Sequence, residues 1–152
     1  MNWERAVLFT LISRYDPQRR GKCMAEKSET KTVLIIEDEA EVRNFTSRVL
    51  ELEGYHVLQA ENSEQGMRLV RESQVSLVLL DLRLPGRDGW AVLEQIKSTP
   101  ELSAIPVIVF TASAEVSQRE RALSMGAADY LVKPLSAARL RKAVVRVLHR
   151  KR

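Results

Sequence analysis

The sequence predicts an α/β protein in which a parallel sheet of five strands is covered by helices on both faces. Short apolar runs alternate five times with segments whose apolar residues recur at helical spacing. The links between them are short, so each strand leads almost directly into a helix. One run, Val75–Leu80, is apolar almost throughout, which is typical of a strand buried on both faces of a parallel sheet.

Each predicted strand is a short run rich in aliphatic or β-branched residues. The first, Thr32–Ile36, is followed by acids, and the third is followed by Asp81 and the turn residues Pro85 and Gly86. The predicted strands, in order, are Thr32–Ile36, His56–Ala60, Val75–Leu80, Val107–Phe110 and Asp129–Val132.

The predicted helices carry apolar residues three and four positions apart, and glycines end two of them. Ser63 is the expected N-cap of the second helix, and Gly66 inside it either costs stability or permits close packing. The predicted helices are Ala40–Leu52, Ser63–Glu72, Trp90–Lys97, Ala114–Met125 and Ser136–His149. In the first helix, the residues expected to face the core are Val42, Phe45, Val49 and Leu52.

Strict alternation of strand and helix limits the topology, because crossovers between parallel strands are right-handed. Five strands in a doubly wound (βα)5 sheet fit the flavodoxin-like strand order 2-1-3-4-5. In that order strands 1 and 3 are neighbours at the switch point, where such sheets place their ligands.

Composition favours a cytoplasmic globular protein. Hydrophobic residues make up 45% of the 152 residues and charged residues 29%. The one cysteine, Cys23, excludes an intrachain disulfide, and no apolar run approaches the roughly 20 residues of a membrane span.

The formal charge of +4 is unevenly distributed: residues 1–31 carry +3, residues 32–138 carry −6 and residues 139–152 carry +7. We interpret 1–30 as an N-terminal extension, disordered or a short helix, and 31–150 as the folded domain. One hypothesis is that residues 1–23 lie upstream of the native start at Met24. The acidic body disfavours direct nucleic-acid binding. The basic end is either an ordinary solvated helix or a surface for an acidic partner.

Polar residues directly follow four of the predicted strands, and these are Glu37-Asp38-Glu39, Asp81, Thr111-Ala112-Ser113 and Lys133-Pro134. Each has an ordinary explanation by itself, such as acids at a helix N-terminus, a threonine N-cap or a solvated lysine. Because the carboxyl ends of parallel strands meet at one edge, we expect all of them to line one crevice. Clustered carboxylates repel unless a cation joins them, and their oxygens suit Mg²⁺.

Residues 32–149 resemble the receiver domain of two-component response regulators. The resemblance rests on Glu37/Asp38, Asp81, Thr111 and Lys133-Pro134, in that order and after those strands. The segment Leu-Asp-Leu-Arg-Leu-Pro-Gly-Arg-Asp-Gly at 80–89 is similar to the family's phosphorylation loop.

The resemblance implies that Asp81 is the phosphoacceptor of a Mg²⁺ site. Asp38 and Asp81 would bind the metal through side-chain oxygens, and Arg83 through its backbone carbonyl. Glu37 would act through a water molecule. Many members of the family carry aspartate at that position, and glutamate is a common variant.

The resemblance also implies a phosphate-responsive set of residues. Lys133 would pair with the phosphoryl oxygens, and its peptide bond to Pro134 would be cis. Thr111 would swing to the phosphate, and the small Ala112 would leave access to it. Tyr130 would turn inward on activation; its ordinary interpretation is a half-buried strand aromatic.

The function implied is that of a stand-alone receiver. It would take a phosphoryl group from a histidine kinase or a histidine phosphotransfer protein and switch a face formed by residues 115–149. That face would act on a separate partner, with dimerisation on phosphorylation a further possibility. We expect no enzymatic activity beyond assisting its own phosphorylation and dephosphorylation.

Three alternatives stay open from the sequence. The first is a non-phosphorylated, receiver-like interaction module, which the intact acidic set disfavours. The second is a phosphatase of the haloacid dehalogenase type, which would need a second aspartate where Arg83 stands. The third is nucleic-acid binding through the basic end.

Overall fold

The computed structural model of the protein describes residues 30–86 and 88–150. The predictions for the N-terminal extension, and the hypothesis about residues 1–23, lie outside the described residues. So do the last two residues of the basic end.

Strands and helices alternate from the first described strand to the last described helix. They are β1 (Thr32–Ile36), α1 (Ala40–Leu52), β2 (His56–Ala60), α2 (Ser63–Glu72), β3 (Leu77–Leu80), α3 (Gly89–Ser98), β4 (Val107–Thr111), α4 (Val116–Ser124), β5 (Asp129–Val132) and α5 (Ala137–Leu148). All strand pairs are parallel, and the sheet order is β2-β1-β3-β4-β5. The predicted fold class and strand order are therefore confirmed.

Alternate side chains of the strands enter two separate cores. Leu34 and Ile36 point to one face, where α2, α3 and α4 supply residues such as Met67 and Leu93. Val33 and Ile35 point to the other face, which α1 and α5 cover. Fully burying an aliphatic side chain contributes about 1.5–3 kcal/mol to the free energy of unfolding. The two layers of buried side chains therefore stabilise the sheet from both faces.

The ends of several elements differ from prediction. β3 begins at Leu77 rather than Val75, and α4 begins at Val116 rather than Ala114. Asn62, not Ser63, caps α2, because its side chain accepts a hydrogen bond from the Gln65 backbone N–H at 2.8 Å. Thr111 is the last residue of β4, which excludes the N-cap interpretation.

The buried face of α1 is rotated from the predicted one. Phe45 is 46% exposed and Leu52 is 73% exposed, although both were expected to face the core. The buried residues of α1 are Thr46, Ser47, Val49 and Leu50. The Thr46 hydroxyl can be buried because it donates to the Val42 carbonyl at 2.7 Å. A purely apolar pattern could not detect a threonine and a serine facing inward.

Close packing explains the glycine within α2. A Cβ atom at Gly66 would lie 2.5 Å from Cδ1 of Ile36, a fully buried β1 residue. The absence of a side chain therefore lets α2 approach the sheet. Among the described residues, no helix has both the length and the apolar character needed to cross a membrane.

Candidate functional site

The predicted polar residues meet at the carboxyl edge of the sheet. Glu37 directly follows β1, Asp81 follows β3 and Lys133 follows β5, while Thr111 ends β4. The Asp81 backbone N–H donates to the Ile36 carbonyl at 3.0 Å, which ties the ends of β1 and β3 together. The Lys133 backbone N–H donates to the Thr111 carbonyl at 2.8 Å and does the same for β4 and β5.

Lys133 bridges two of the acids. Its Nζ donates to Glu37 Oε2 at 2.5 Å and to Asp81 Oδ2 at 3.1 Å. The Glu37 side chain is fully buried, and that of Asp81 is 5% exposed. Nζ also lies 5.0 Å from the centre of the Phe110 ring. One ammonium group thus faces two buried carboxylates, and the three charged groups follow three different strands.

Backbone amides hold the remaining oxygens of these carboxylates. The Glu39 N–H donates to Glu37 Oε1 at 3.1 Å, and the Arg83 N–H donates to Asp81 Oδ1 at 3.0 Å. Each acid is therefore fixed at both oxygens and points into the crevice. The predicted metal ligand at Arg83 is its carbonyl, and that role stays a prediction.

Asp38 completes an acidic cluster. Glu37, Asp38 and Asp81 each offer an oxygen within 4.8 Å of the other two, and Asp38 is exposed while its neighbours are buried. Burial raises the pKa of Glu37 to about 7, with the Asp81 charge adding to the rise, although hydrogen bonds from Lys133 and the Glu39 amide oppose it. An all-oxygen set that includes one buried carboxylate with a raised pKa fits a hard divalent cation such as Mg²⁺.

Lys133 remains a cation in this environment. Burial lowers its pKa, but the hydrogen bond to Glu37 and the charge of Asp81 outweigh that effect and raise the pKa above its usual value. The lysine can therefore serve a negatively charged group placed in the crevice.

The loop after β3 is shaped by glycines. Gly86 has φ +83°, which follows the turn at Pro85. A Cβ atom at Gly89 would lie 2.5 Å from the Leu82 Cα and would also overlap the Asp81 carbonyl. The start of α3 therefore packs directly on the backbone that carries Asp81. The available sequence signal for this contact was the glycine that follows Asp88 at the end of the segment 80–89.

The residues predicted to respond to phosphate lie in or directly after β4 and β5. Thr111 is buried, Ala112 is exposed, and the Lys133–Pro134 peptide bond is cis. Tyr130 is 3% exposed, so it is buried rather than half-buried, and its hydroxyl donates to the Ser113 carbonyl at 2.8 Å. Burial raises the pKa of Tyr130. The tyrosine faces inward in this structure.

Arg43 belongs to the site although the sequence interpretation omitted it. Its Nη1 donates to the Glu37 carbonyl at 2.8 Å and to the Asp38 carbonyl at 3.3 Å. Its Nε donates to Gln59 Oε1 at 3.2 Å. The available signal was a basic residue about one helical turn after an acidic loop.

Solved structures of receiver domains have a similar architecture. The structure resembles the CheY-like response regulator receiver domain protein from Methanospirillum hungatei JF-1, with TM-score 0.74 and 26% identity over 80% of this chain and 95% of that chain. It also resembles the non-phosphorylated HemR receiver domain from Leptospira biflexa, with TM-score 0.74 and 29% identity over 80% and 97% of the two chains.

Curated relatives include transcriptional regulators. The chain is 37% identical to the phosphate regulon transcriptional regulatory protein PhoB of Pseudomonas aeruginosa, over 79% of this chain and 52% of that protein. It is 42% identical to the KDP operon transcriptional regulatory protein KdpE of Escherichia coli, over 75% and 51%. The chain thus spans about half the length of these relatives.

The family model of the response regulator receiver domain matches residues 33–145, which is most of the chain and all of the crevice described above. The chain therefore belongs to the response regulator receiver domain family of two-component signalling.

Proposed function

We propose that this receiver accepts a phosphoryl group on Asp81 in a Mg²⁺-dependent reaction. The observation that carries the proposal is the Lys133 bridge to Glu37 and Asp81, with Asp38 beside them. It combines an aspartate nucleophile, a second cation-binding acid and a fixed lysine in one crevice.

The residues supply what phosphoryl transfer needs. An Asp81 oxygen attacks the phosphorus of the donor's phosphohistidine, the P–N bond breaks and the imidazole leaves with the bonding electrons. Lys133 Nζ, already 3.1 Å from Asp81, offsets charge on the transferring oxygens. Bound Mg²⁺, held by Asp38, Asp81, the Arg83 carbonyl and Glu37 through water, would supply further charge neutralisation.

The family implies a histidine kinase as the partner, and a histidine phosphotransfer protein is our second candidate donor. Output would pass through a face formed by α4, β5 and α5, roughly residues 115–149, to a separate partner or through a phosphorylation-dependent dimer. Tyr130 supports this choice, because its hydroxyl joins β5 to the segment after β4. We propose a cytoplasmic phosphoacceptor that catalyses no reaction on other substrates.

The test uses a small phosphodonor, such as acetyl phosphate, with the full chain and Mg²⁺. We expect a phosphorylated species that disappears in Asp81→Asn and on chelation of Mg²⁺, measured by intact mass and by phosphate-affinity electrophoresis. Asp88→Asn is the matched control. Asp88 lies in the same loop, but its side chain caps α3 by accepting from the Trp90 N–H at 3.2 Å.

A phosphorylated species that persists in Asp81→Asn would overturn the proposal, as would its absence from the wild-type protein. The second result would favour the receiver-like interaction module that is not phosphorylated. Retention of the species in Asp88→Asn is expected, because a helix cap contributes about 1 kcal/mol of stability and no chemistry.

A further inference from the structure

The Arg43 side chain makes three hydrogen bonds, two to the acidic loop between β1 and α1 and one to β2. Nη1 reaches two successive carbonyls, those of Glu37 and Asp38, and Nε reaches Gln59 in β2. The Arg43 backbone N–H also donates to the Glu39 carbonyl at 2.9 Å. That bond is the first one of the helix and does not depend on the side chain, so the guanidinium itself holds the carbonyls of Glu37 and Asp38 and anchors them to β2.

Asp38 depends on this hold more than the other acids do. Glu37 and Asp81 are buried and fixed through their carboxylates by Lys133, whereas Asp38 is exposed and bonds here through its backbone carbonyl. The direction of its side chain is therefore set by the backbone of the loop. Groups that orient ligands from outside the coordination sphere typically change metal affinity about tenfold or more when they are removed.

Charge alone predicts the opposite effect. The Arg43 guanidinium is a permanent cation close to a site for a divalent cation, and like charges repel. If Arg43 acted only through its charge, its removal would tighten Mg²⁺ binding. The sign of the change therefore separates positioning from electrostatics.

We propose that Arg43 is a positioning residue that presets the Glu37–Asp38 loop for Mg²⁺ by holding its two carbonyls against β2. This inference rests on the proposed function, and it goes beyond it by assigning a role to a residue that touches neither the phosphoryl group nor the metal. Arg43 acts through the geometry of Asp38, so it changes the affinity for the metal rather than the rate at saturating metal.

The experiment measures Mg²⁺ binding directly by isothermal titration calorimetry on the full-length chain, together with acetyl phosphate labelling as a function of Mg²⁺. For Arg43→Ala we expect about tenfold weaker Mg²⁺ binding and the wild-type labelling rate once Mg²⁺ is saturating. Arg43→Lys keeps the charge but lacks the planar guanidinium, so its Mg²⁺ affinity should lie between that of the wild type and that of Arg43→Ala. Gln59→Ala, which removes only the anchor on β2, should weaken binding less than Arg43→Ala.

Arg48→Ala is the matched control, since Arg48 is an exposed arginine of the same helix. It removes an identical charge without releasing the loop, and it should leave Mg²⁺ affinity unchanged or slightly higher. If Arg43→Ala fails to fold, Arg43→Lys and Gln59→Ala still decide the question, because the first keeps a long cationic side chain and the second leaves Arg43 in place and changes only an exposed residue.

The inference is overturned if Arg43→Ala binds Mg²⁺ as tightly as the wild type or more tightly. If Arg43→Ala does not fold, the same result in Arg43→Lys and Gln59→Ala overturns it. In either case the reaction of the wild-type protein still supports the proposed function. Loss of labelling at saturating Mg²⁺ also overturns the inference, because that result would place Arg43 in the reaction itself. A wild-type protein that binds no Mg²⁺ would remove the proposed function and this inference together.

Discussion

Glu37 is a buried acid whose protonation depends on its surroundings in the site. It is fully buried, and burial with the neighbouring Asp81 charge raises its pKa to about 7 from the usual 4.5. Lys133 offsets only part of this cost, because the same ammonium also serves Asp81. A second cation in the crevice would stabilise the carboxylate form of Glu37.

This arrangement predicts a pH dependence of the stabilisation by Mg²⁺. Because the pKa is raised on folding, Glu37 contributes most stability below about pH 4.5, and the contribution is lost as pH rises through about 7. Mg²⁺ binds the deprotonated form, so protons compete with it at low pH. We expect Mg²⁺ to raise the melting temperature more at about pH 8 than at about pH 5.5, measured by thermal unfolding.

Glu37→Gln provides the control for this prediction. The amide keeps the shape of the side chain and does not titrate, so the increase in melting temperature caused by Mg²⁺ should vary less with pH. An equal effect of Mg²⁺ at both pH values in the wild-type protein would contradict the role given to Glu37.

At the scale of the element, α1 shows how polar residues can set the buried face of a helix. Its apolar positions suggested a stripe through Phe45 and Leu52, but the buried stripe runs through Thr46, Val49 and Leu50. The Thr46 hydroxyl donates to a carbonyl within the helix, so burying this residue costs little free energy. The helix can therefore place the side of Thr46 and Leu50 against the core.

The two leucines of α1 give a matched test of this rotation. Leu50 is fully buried and Leu52 is 73% exposed. Leu50→Ala should lower the free energy of unfolding by about 2–5 kcal/mol, because it leaves a cavity in the core. Leu52→Ala should change it by about 0.5 kcal/mol or less. Urea denaturation measures both, and similar losses in the two variants would contradict the observed orientation.

The features that were predictable from the sequence are those that depend on patterns of apolar residues. The strands and the residues after them were predictable, because buried parallel strands are nearly continuous apolar runs and their carboxyl ends must share one edge. The roles of Arg43 and Gly89 were not inferred, since they lie in hydrogen bonds and close contacts to backbone atoms. A basic residue one turn after an acidic loop, or a glycine after an aspartate, is too weak a signal to identify such contacts by itself.

At the scale of the whole molecule, one chain of contacts leads from Asp81 to the proposed output face. Lys133 touches Asp81 through its side chain and Thr111 through its backbone N–H. Three residues earlier in the chain, Tyr130 is bonded to the Ser113 carbonyl just before α4. Charge added at Asp81 therefore acts first on the residue that connects the crevice to β4, β5 and the start of α4.

This connection predicts that phosphorylation changes the α4–β5–α5 face and leaves α2 unchanged. With acetyl phosphate in excess, pulsed hydrogen exchange should show altered protection in residues 111–148. Protection should stay unaltered in Ser63–Glu72, a helix that packs on β1 and β2 and lies away from Lys133. Lys133→Ala should slow Asp81-dependent phosphorylation without abolishing it, and the phosphorylated variant should lose that change, because the link between Asp81 and β5 is gone. Lys142→Ala, an exposed lysine of α5, should behave as the wild type. A normal exchange response in Lys133→Ala would reject Lys133 as the link, whereas a response confined to α2 would place the output face elsewhere.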